Sequence, residues 1–484
     1  MLAQRALAIL FVITSLLANS AQAITWHVDA DGGGDAPTIQ AAIDAAAPGD
    51  TVLVSVGRYY ESLRLHGKAI TVASWYLITG QESYIDETIL DGTNHPRASP
   101  VCCRDGETRA TLICGFTIEH GNGTLHFWHF GGGVFVLDAS PTLRHLKIRD
   151  CEIFDYYGGG IGVLGYSSPL FEHLLVEGCS APEGGAIHLE GADHPDGVIV
   201  RDAVLVNNEG ALGAAINLWG DSRLRLERVV MANNVGYEAA VMIQGADLVM
   251  VGSTIGNHPQ GGVGVWTGRA VLVNSVIWGP AASALTLRGH PSLARSVVAY
   301  CDLAGGLDGV AVDGEVTLEW LDGNLDLDPR FVDPAGHDYR LQEDSPCIDA
   351  GTATLEVDGE LVVDLGPDDY CGDAPDQGAH EYCVVTAVAT APTATATLMA
   401  APNPLNPATV IRYTVPAAGP VRLTIHDIAG RRVATLVEGN RDEGEHVATW
   451  HGRDASGQPA PSGVYLLRLV AGGEVVGGRL TLAR

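Results

Sequence analysis

A glycine-led motif recurs through the middle of the chain, and its spacing constrains the fold more than any other feature. It reads Gly131-Gly-Gly-Val-Phe-Val-Leu137, Gly158-Gly-Gly-Ile-Gly-Val-Leu164, Gly184-Gly-Ala-Ile-His-Leu189 and Gly213-Ala-Ala-Ile-Asn-Leu218. Weaker copies follow at Ala239-Ala-Val-Met-Ile243, Gly261-Gly-Val-Gly-Val-Trp266 and Ser283-Ala-Leu-Thr-Leu287. The start points lie 27, 26, 29, 26, 22 and 22 residues apart. Each copy is followed by a second short alternating run, such as Leu143–Ile148, Leu170–Val176 or Leu224–Val230. The apolar period is two, so these are strands and not helices. One coil of short strands cannot bury its own inner face, but stacked coils pair each strand with its equivalent and build a continuous core. The pattern predicts a parallel β-helix. An antiparallel sandwich would instead place turn signals roughly every 8–12 residues, without the longer period.

Cys179, Asn208 and Asn234 stand five residues before their small-residue pair, and Asn257 stands four before Gly261. Asn tolerates left-handed backbone and can hydrogen-bond to the next coil, so a stacked Asn ladder in a tight bend is expected here. Cys151 and Cys179 fall one coil apart. Either a disulfide or two buried thiols fits that placement. The chain has nine cysteines, an odd number with no zinc-type spacing, so at least one thiol stays free. At the N-terminal end, Thr38–Ala47 reads as a short capping helix with Thr38 as N-cap and Pro48-Gly49 as its stop.

Residues 1–23 carry Arg5, an apolar run and Ala21-Gln-Ala23, the pattern of a cleaved secretory signal peptide. No later segment is apolar for long enough to span a membrane after that cleavage. The chain holds 58 acidic and 28 basic residues, a net charge of -30, and only Lys68 and Lys147 are lysines. Such a surface repels phosphate backbones and anionic lipids, which excludes nucleic acid as a partner.

Several segments resemble secreted bacterial right-handed β-helix repeat proteins of the pectin-lyase-like type. Thr25-Trp-His-Val-Asp29 with Asp35–Asp50 resembles their N-terminal cap, and Val56–Glu61, Gly67–Thr71 and Thr88–Gly92 fit the same group. Asp326–Pro334, Asp338–Leu341, Ser345–Gly351 and Asp376–Tyr382 are similar to the segment that closes such helices. The resemblance covers residues 24–383. Residues 384–397, rich in Ala, Thr and Val, read as a linker. Residues 398–484 alternate between Gly and Pro turns and predict a small β-sandwich. Pro402–Pro407, Val421–Gly430, Trp450–Asp454 and Ser462–Leu469 resemble a FlgD-like immunoglobulin-type domain, close to the C-terminal sorting domains of the type IX secretion route. The resemblance implies an all-β, exported protein whose last domain meets secretion or anchoring machinery and performs no catalysis.

Function has to be read from side chains on the scaffold. Gly57-Arg-Tyr-Tyr-Glu61 is similar to an element of pectin methylesterases, but the catalytic motifs of that group, of polygalacturonases and of pectate lyases are absent. The loops before the glycine pairs should stack at one corner, and they carry aromatic and acidic residues. Trp128, His129, Tyr156, Tyr157, Tyr237 and Glu238 form the expected ligand-binding ridge, suited to a polysaccharide or cell-surface glycan. The alternative is a polysaccharide hydrolase or lyase, with Asp155 and Glu183, one coil apart, as the carboxylate pair. Calcium is the one metal suggested. Asp29, Asp31 and Asp35 space oxygens as a calcium loop does, although a turn with solvated acids reads the same.

Overall fold

The computed structural model describes residues 23–279, 283–289, 294–383, 396–401, 408–427, 432–454, 457–461, 463–471 and 474–482. The expected signal peptide, apart from Ala23, and most of the expected linker lie outside these residues. Among the described residues no helix is long and apolar enough to cross a membrane.

The chain is a β-solenoid of about 11 turns followed by small sheets. Three parallel ladders run its length. The first passes through Thr25–Val28, Thr51–Val54 and Thr71–Ser74 to Thr317–Trp320. The second runs from Gly57–Tyr59 through Thr88–Asp91 to Asp302–Leu303. The third holds the glycine-led strands, Val134–Leu137, Ile161–Leu164, Ile187–Glu190 and Ile216–Trp219, each in register with the next. Alternate residues face inward: Val134, Val136, Ile161, Val163, Ile187, Leu189, Ile216 and Leu218 are all buried in one core.

The corners explain the sequence signals. Gly158 and Gly184 open their strands at φ 72° and 68°. A Cβ there would lie 2.4 and 2.3 Å from the carbonyl oxygens of Ile161 and Ile187, so only glycine fits. At the opposite bend, Asp150, Asn207, Asn233 and Asn257 take the left-handed conformation, and the following residue points inward. Asn208 and Asn234 are those following residues, and both are fully buried. The Asn ladder is therefore present, with one correction. Asn257 is the left-handed corner residue, equivalent to Asn233, and His258 occupies the inward position. The loop from His258 to Gly261 is two residues shorter than its equivalents, so counting back from the glycine overshoots.

Cys151 and Cys179 occupy the same column as the ladder and are buried free thiols. The disulfide is Cys371–Cys383, 12 residues apart, a pair the spacing did not single out.

Helix Ile39–Ala45 covers the first coil with Ile39, Ala42 and Ile43. Thr38 caps it as expected, its Oγ1 accepting the N–H of Ala41 at 3.0 Å. At the other end the segment expected to close the solenoid lies along its flanks instead. Phe331–Asp333 and Asp338–Leu341 bring Phe331, Tyr339 and Leu341 onto Val206, Val230, Ala232 and Val276, on the outside of the second ladder. The hairpin Thr354–Val357 and Glu360–Asp364 lays Val357, Val362 and Val363 on Val251, Val271, Val273 and Val297. Those outward valines need cover, and the returning chain supplies it.

The C-terminal region pairs Leu398–Ala401, Thr409–Val415 and Gly444–Trp450 in one sheet. Arg432–Arg441, Gly419–Asp427, Gly463–Ala471 and Glu474–Leu482 form a second. Their shared core centres on Trp450, packed edge-on against Tyr465 at 4.8 Å.

Candidate functional site

The loops that precede the third ladder stack into a ridge. Parallel bridges join Phe130 to Tyr157, Tyr157 to Glu183 and Glu183 to Leu212, and a second row joins Glu152, Ser180, Glu209 and Val235. The ridge starts at a projecting hairpin, Thr124–Leu125 paired with His129–Phe130. Aromatic rings stand out from it: Phe127 is 80%, Trp128 48%, Phe154 77% and Tyr237 86% exposed. Trp128 packs against Tyr156 at a tilt, with centroids 4.4 Å apart. From the coil of Trp128 to that of Tyr237 is four strand spacings, about 19 Å.

Beneath the ridge lies the outward column of the third ladder, Phe135, Gly162, His188, Asn217 and Met242, in register from coil to coil. His188 and Asn217 are fully buried although they face away from the core, because the ridge covers them. The ring of His188 stacks on Tyr157 at 4.5 Å, and Phe130 packs on the same tyrosine at 5.0 Å. Nδ2 of Asn217 donates to Oε2 of Glu183 at 2.9 Å and lies 3.2 Å from Nδ1 of His188. Nε2 of Gln244 donates to Oδ1 of Asn217 at 3.0 Å, which fixes the orientation of that amide. Nδ1 of His188 is then an acceptor, and the neutral ring carries its proton on Nε2. That nitrogen has no hydrogen-bond partner and faces Oε2 of Glu190 at 3.8 Å. Burial, with Glu190 nearby, raises the pKa of Glu183 against the opposing hydrogen bond from Asn217. Burial likewise raises the Tyr157 phenol.

The expected site residues divide accordingly. Trp128, Tyr156 and Tyr237 stand on the ridge, with His129 half-buried at its base. Tyr157 is half-buried between Phe130 and His188, and Glu238 is engaged by Arg288 at 3.4 Å. Asp155 is exposed and has no hydrogen bond or ion pair among the described residues, whereas the groups around the Glu183 carboxyl are His188, Asn217 and Glu190. The structure ties the Glu183 carboxyl to the strand residue Asn217 by a hydrogen bond. The inward-outward alternation within Ile187-His-Leu189 and Ile216-Asn-Leu218 was the available signal for His188 and Asn217. Phe127 and Phe154 lie in the same aromatic loops, and their placement there exposes them.

Asp29, Asp31 and Asp35 do not converge. Asp29 accepts from Ser55, Asp31 from the N–H of Gly33, and Asp35 from the N–H of His27. They make a hydrogen-bonded turn. Asp29 and Asp35 also line a cavity of about 740 Å³ with Trp75, Ile78, Tyr84 and Leu467, where their carboxylates are already engaged. Among the described residues, the group with metal-ligand proximity is Asp91, Glu119 and His120. Arg58 bridges its two carboxylates, Arg149 holds Glu119 at 2.6 Å, and Thr93 and His120 complete the shell of Asp91. Burial alone would raise Asp91, but these hydrogen bonds lower its pKa to about 2, so the group is an ion-pair network engaged by Arg58, Arg149 and Thr93.

Gly57–Glu61 also has a structural explanation. Tyr59 donates its hydroxyl to the carbonyl of Ser55 at 2.8 Å, and Glu61 accepts the N–H groups of Ile39 and Gln40 at the start of the capping helix.

Residues 406–474 match the family model of the FlgD Ig-like domain. The C-terminal region carries a FlgD Ig-like domain. The match leaves the solenoid uncovered, and no curated protein matches the chain.

Proposed function

We propose that the protein is an exported or cell-surface β-solenoid that binds glycans along the aromatic ridge, with the FlgD Ig-like domain serving secretion or anchoring. One observation carries the binding reading. Trp128, Phe154 and Tyr237 project from loops of one ridge, beside the carboxyl groups of Asp155, Glu183 and Glu209. Flat rings give a sugar an apolar face to lie on, and carboxylates accept its hydroxyls. Rings that only sealed coil edges would be covered, as Phe130 and Phe135 are. The test is a glycan array comparing the wild type with a Trp128→Ala/Phe154→Ala/Tyr237→Ala triple variant. Binding should be lost in the variant. Undiminished binding would remove the ridge as the site.

The pectin-lyase-like and type IX assignments rest on the sequence resemblance and belong to this proposal. Export is supported by the signal-type pattern of residues 1–23 and by the FlgD Ig-like match, and a secretion assay on a chain lacking residues 398–484 tests it.

A hydrolytic reading has one observation in its favour. The half-buried Glu183 has a raised pKa, which a general acid for glycosidic cleavage requires. Asp155 is its expected partner. Reducing-end release from a polysaccharide panel, abolished by Glu183→Gln, would support it. No release by the wild type would leave binding alone.

A further inference from the structure

We infer that the flank of the solenoid carries a second binding site, a cleft at Trp278 that takes a single neutral sugar residue. None of the ridge residues lines it, so the inference stands apart from the glycan-binding reading of the ridge.

The cleft forms where the returning chain crosses the outer face of the second ladder. Gly256 and Trp278 are equivalent positions on that face, paired in register from one coil to the next. Tyr339 fills the space over Gly256. The space over Trp278 stays open, and the half-buried indole lines a cavity of about 430 Å³ there. That size lies within the range of about 300–1,000 Å³ usual for small-molecule sites. Phe331 extends the apolar floor.

The rim is polar and reachable from solvent. Asp328, Arg330 and Gln342 are exposed, with Asn257 half-buried beside them. Each is anchored through one atom. Nδ2 of Asn257 donates to the carbonyl of Pro334 at 3.3 Å, and Nε2 of Gln342 donates to that of Phe331 at 2.8 Å. Oδ1 of Asp328 accepts the N–H of Arg330 at 3.0 Å, and Nη1 of Arg330 pairs with Asp344. Among the described residues, Oδ1 of Asn257, Oε1 of Gln342, Oδ2 of Asp328 and Nη2 of Arg330 have no such partner. The rim groups are thus held in place with a second polar atom uncommitted, which lowers the cost of ordering them around a ligand.

The ligand class follows from this set. Three acceptors and a guanidinium around an aromatic floor suit a molecule whose polar groups both donate and accept and whose body has an apolar face. Neighbouring hydroxyls on a sugar ring do the first, and the C–H face of that ring, laid on the indole, does the second. A wholly apolar ligand would strip water from the rim without replacing its hydrogen bonds. An anionic ligand would meet the Asp328 carboxylate, with Arg330 already shared with Asp344.

The test is saturation-transfer NMR with the methyl glycosides of glucose, galactose, mannose and N-acetylglucosamine, and with methyl galacturonoside as the anionic control. At least one neutral glycoside should bind with a Kd on the order of 1 mM, and more tightly than the galacturonoside. Asp328→Asn keeps an oxygen for the N–H of Arg330 and removes the free carboxylate oxygen. It should weaken binding about tenfold with the melting temperature unchanged. Trp278→Leu should abolish binding. The Trp128→Ala/Phe154→Ala/Tyr237→Ala variant should bind the glycoside as the wild type does. Loss of binding in that variant would put the sugar on the ridge and overturn this inference while supporting the ridge. Silence from every neutral glycoside, binding indifferent to both Asp328→Asn and Trp278→Leu, or a preference for the galacturonoside would each overturn it as well. Failure of the ridge on a glycan array leaves this site untouched.

Discussion

Asn208 and Asn234 are joined through their side chains from one coil to the next. Nδ2 of Asn208 donates to Oδ1 of Asn234 at 2.9 Å, and the same oxygen accepts the backbone N–H of Asn208 at 3.0 Å. Nδ2 of Asn234 in turn donates to the carbonyl of Leu205 at 2.9 Å, and the N–H of Cys179 donates to Asn208. Bends that would bury unpaired backbone groups are satisfied by side chains stacked along the solenoid.

Replacing Asn234 by Ala leaves the N–H and Nδ2 of Asn208 and the carbonyl of Leu205 without those partners in a dry bend. The expected cost is about 2–4 kcal/mol. It should be read from the chemical denaturation midpoint, and a change below the error of that measurement would refute the ladder.

Gly256 makes room for Tyr339. A Cβ on Gly256 would lie 2.1 Å from Cε1 of the tyrosine, which is 2% exposed. Gly256→Ala should release the flank strands Phe331–Asp333 and Asp338–Leu341 to limited proteolysis. Adding Tyr339→Ala removes the clash, so the double variant should cost less than the sum of the two single ones. Additive losses would mean the two residues do not meet.

Glu61 caps the helix Ile39–Ala45 from outside it by accepting two N–H groups, at 3.0 and 2.9 Å. Glu61→Ala should destabilise the N-terminal cap by about 1–2 kcal/mol. Faster amide exchange at residues 39–45 would localise the effect, and unchanged exchange would contradict it.

Stability should depend on pH through Glu381. Burial and the adjacent Asp376 raise its pKa from 4.5 to about 7. The folded chain therefore binds that proton more tightly than the unfolded chain, and this contribution grows as pH falls through about 7 and is lost as pH rises through it. Asp91 acts oppositely. Its contribution, from a pKa lowered to about 2, is present above 3.8 and is lost as pH falls through 2. Thermal melts between pH 5 and 8 should decline towards pH 8. A Glu381→Gln chain should have a flatter profile, and an unchanged profile would exclude this residue as the cause.

Thiol titration separates the two states of Cys151 and Cys179. The structure has seven free cysteines, all buried. The native protein should resist thiol reagents, and denaturation without reductant should expose seven thiols. Five, which is seven minus two, would indicate a Cys151–Cys179 disulfide.

Much of this was legible in the sequence. The glycines at Gly131, Gly158, Gly184 and Gly213 set the coil period because each stands in a left-handed corner. Asn208, Asn234, Thr38 and the alternating core residues follow from the same local rules. Local rules failed where loop length changed, as at His258, and where the chain folded back over distant strands, as at Tyr339 on Gly256. The ridge loops were identifiable, but their exposed rings and acidic partners were only partly so.

By itself the sequence determined that this chain winds into stacked coils, because period-two strands joined by glycine corners can bury their apolar face in no other way. The tertiary structure alone decided which outward residues meet solvent. His188 and Asn217 face outward by alternation yet are buried, because loops from neighbouring coils close over them. Phe127 and Phe154, apolar by type, stand exposed because those same loops lift them away from the core. Alternation is a property of one strand, whereas cover is a property of its neighbours.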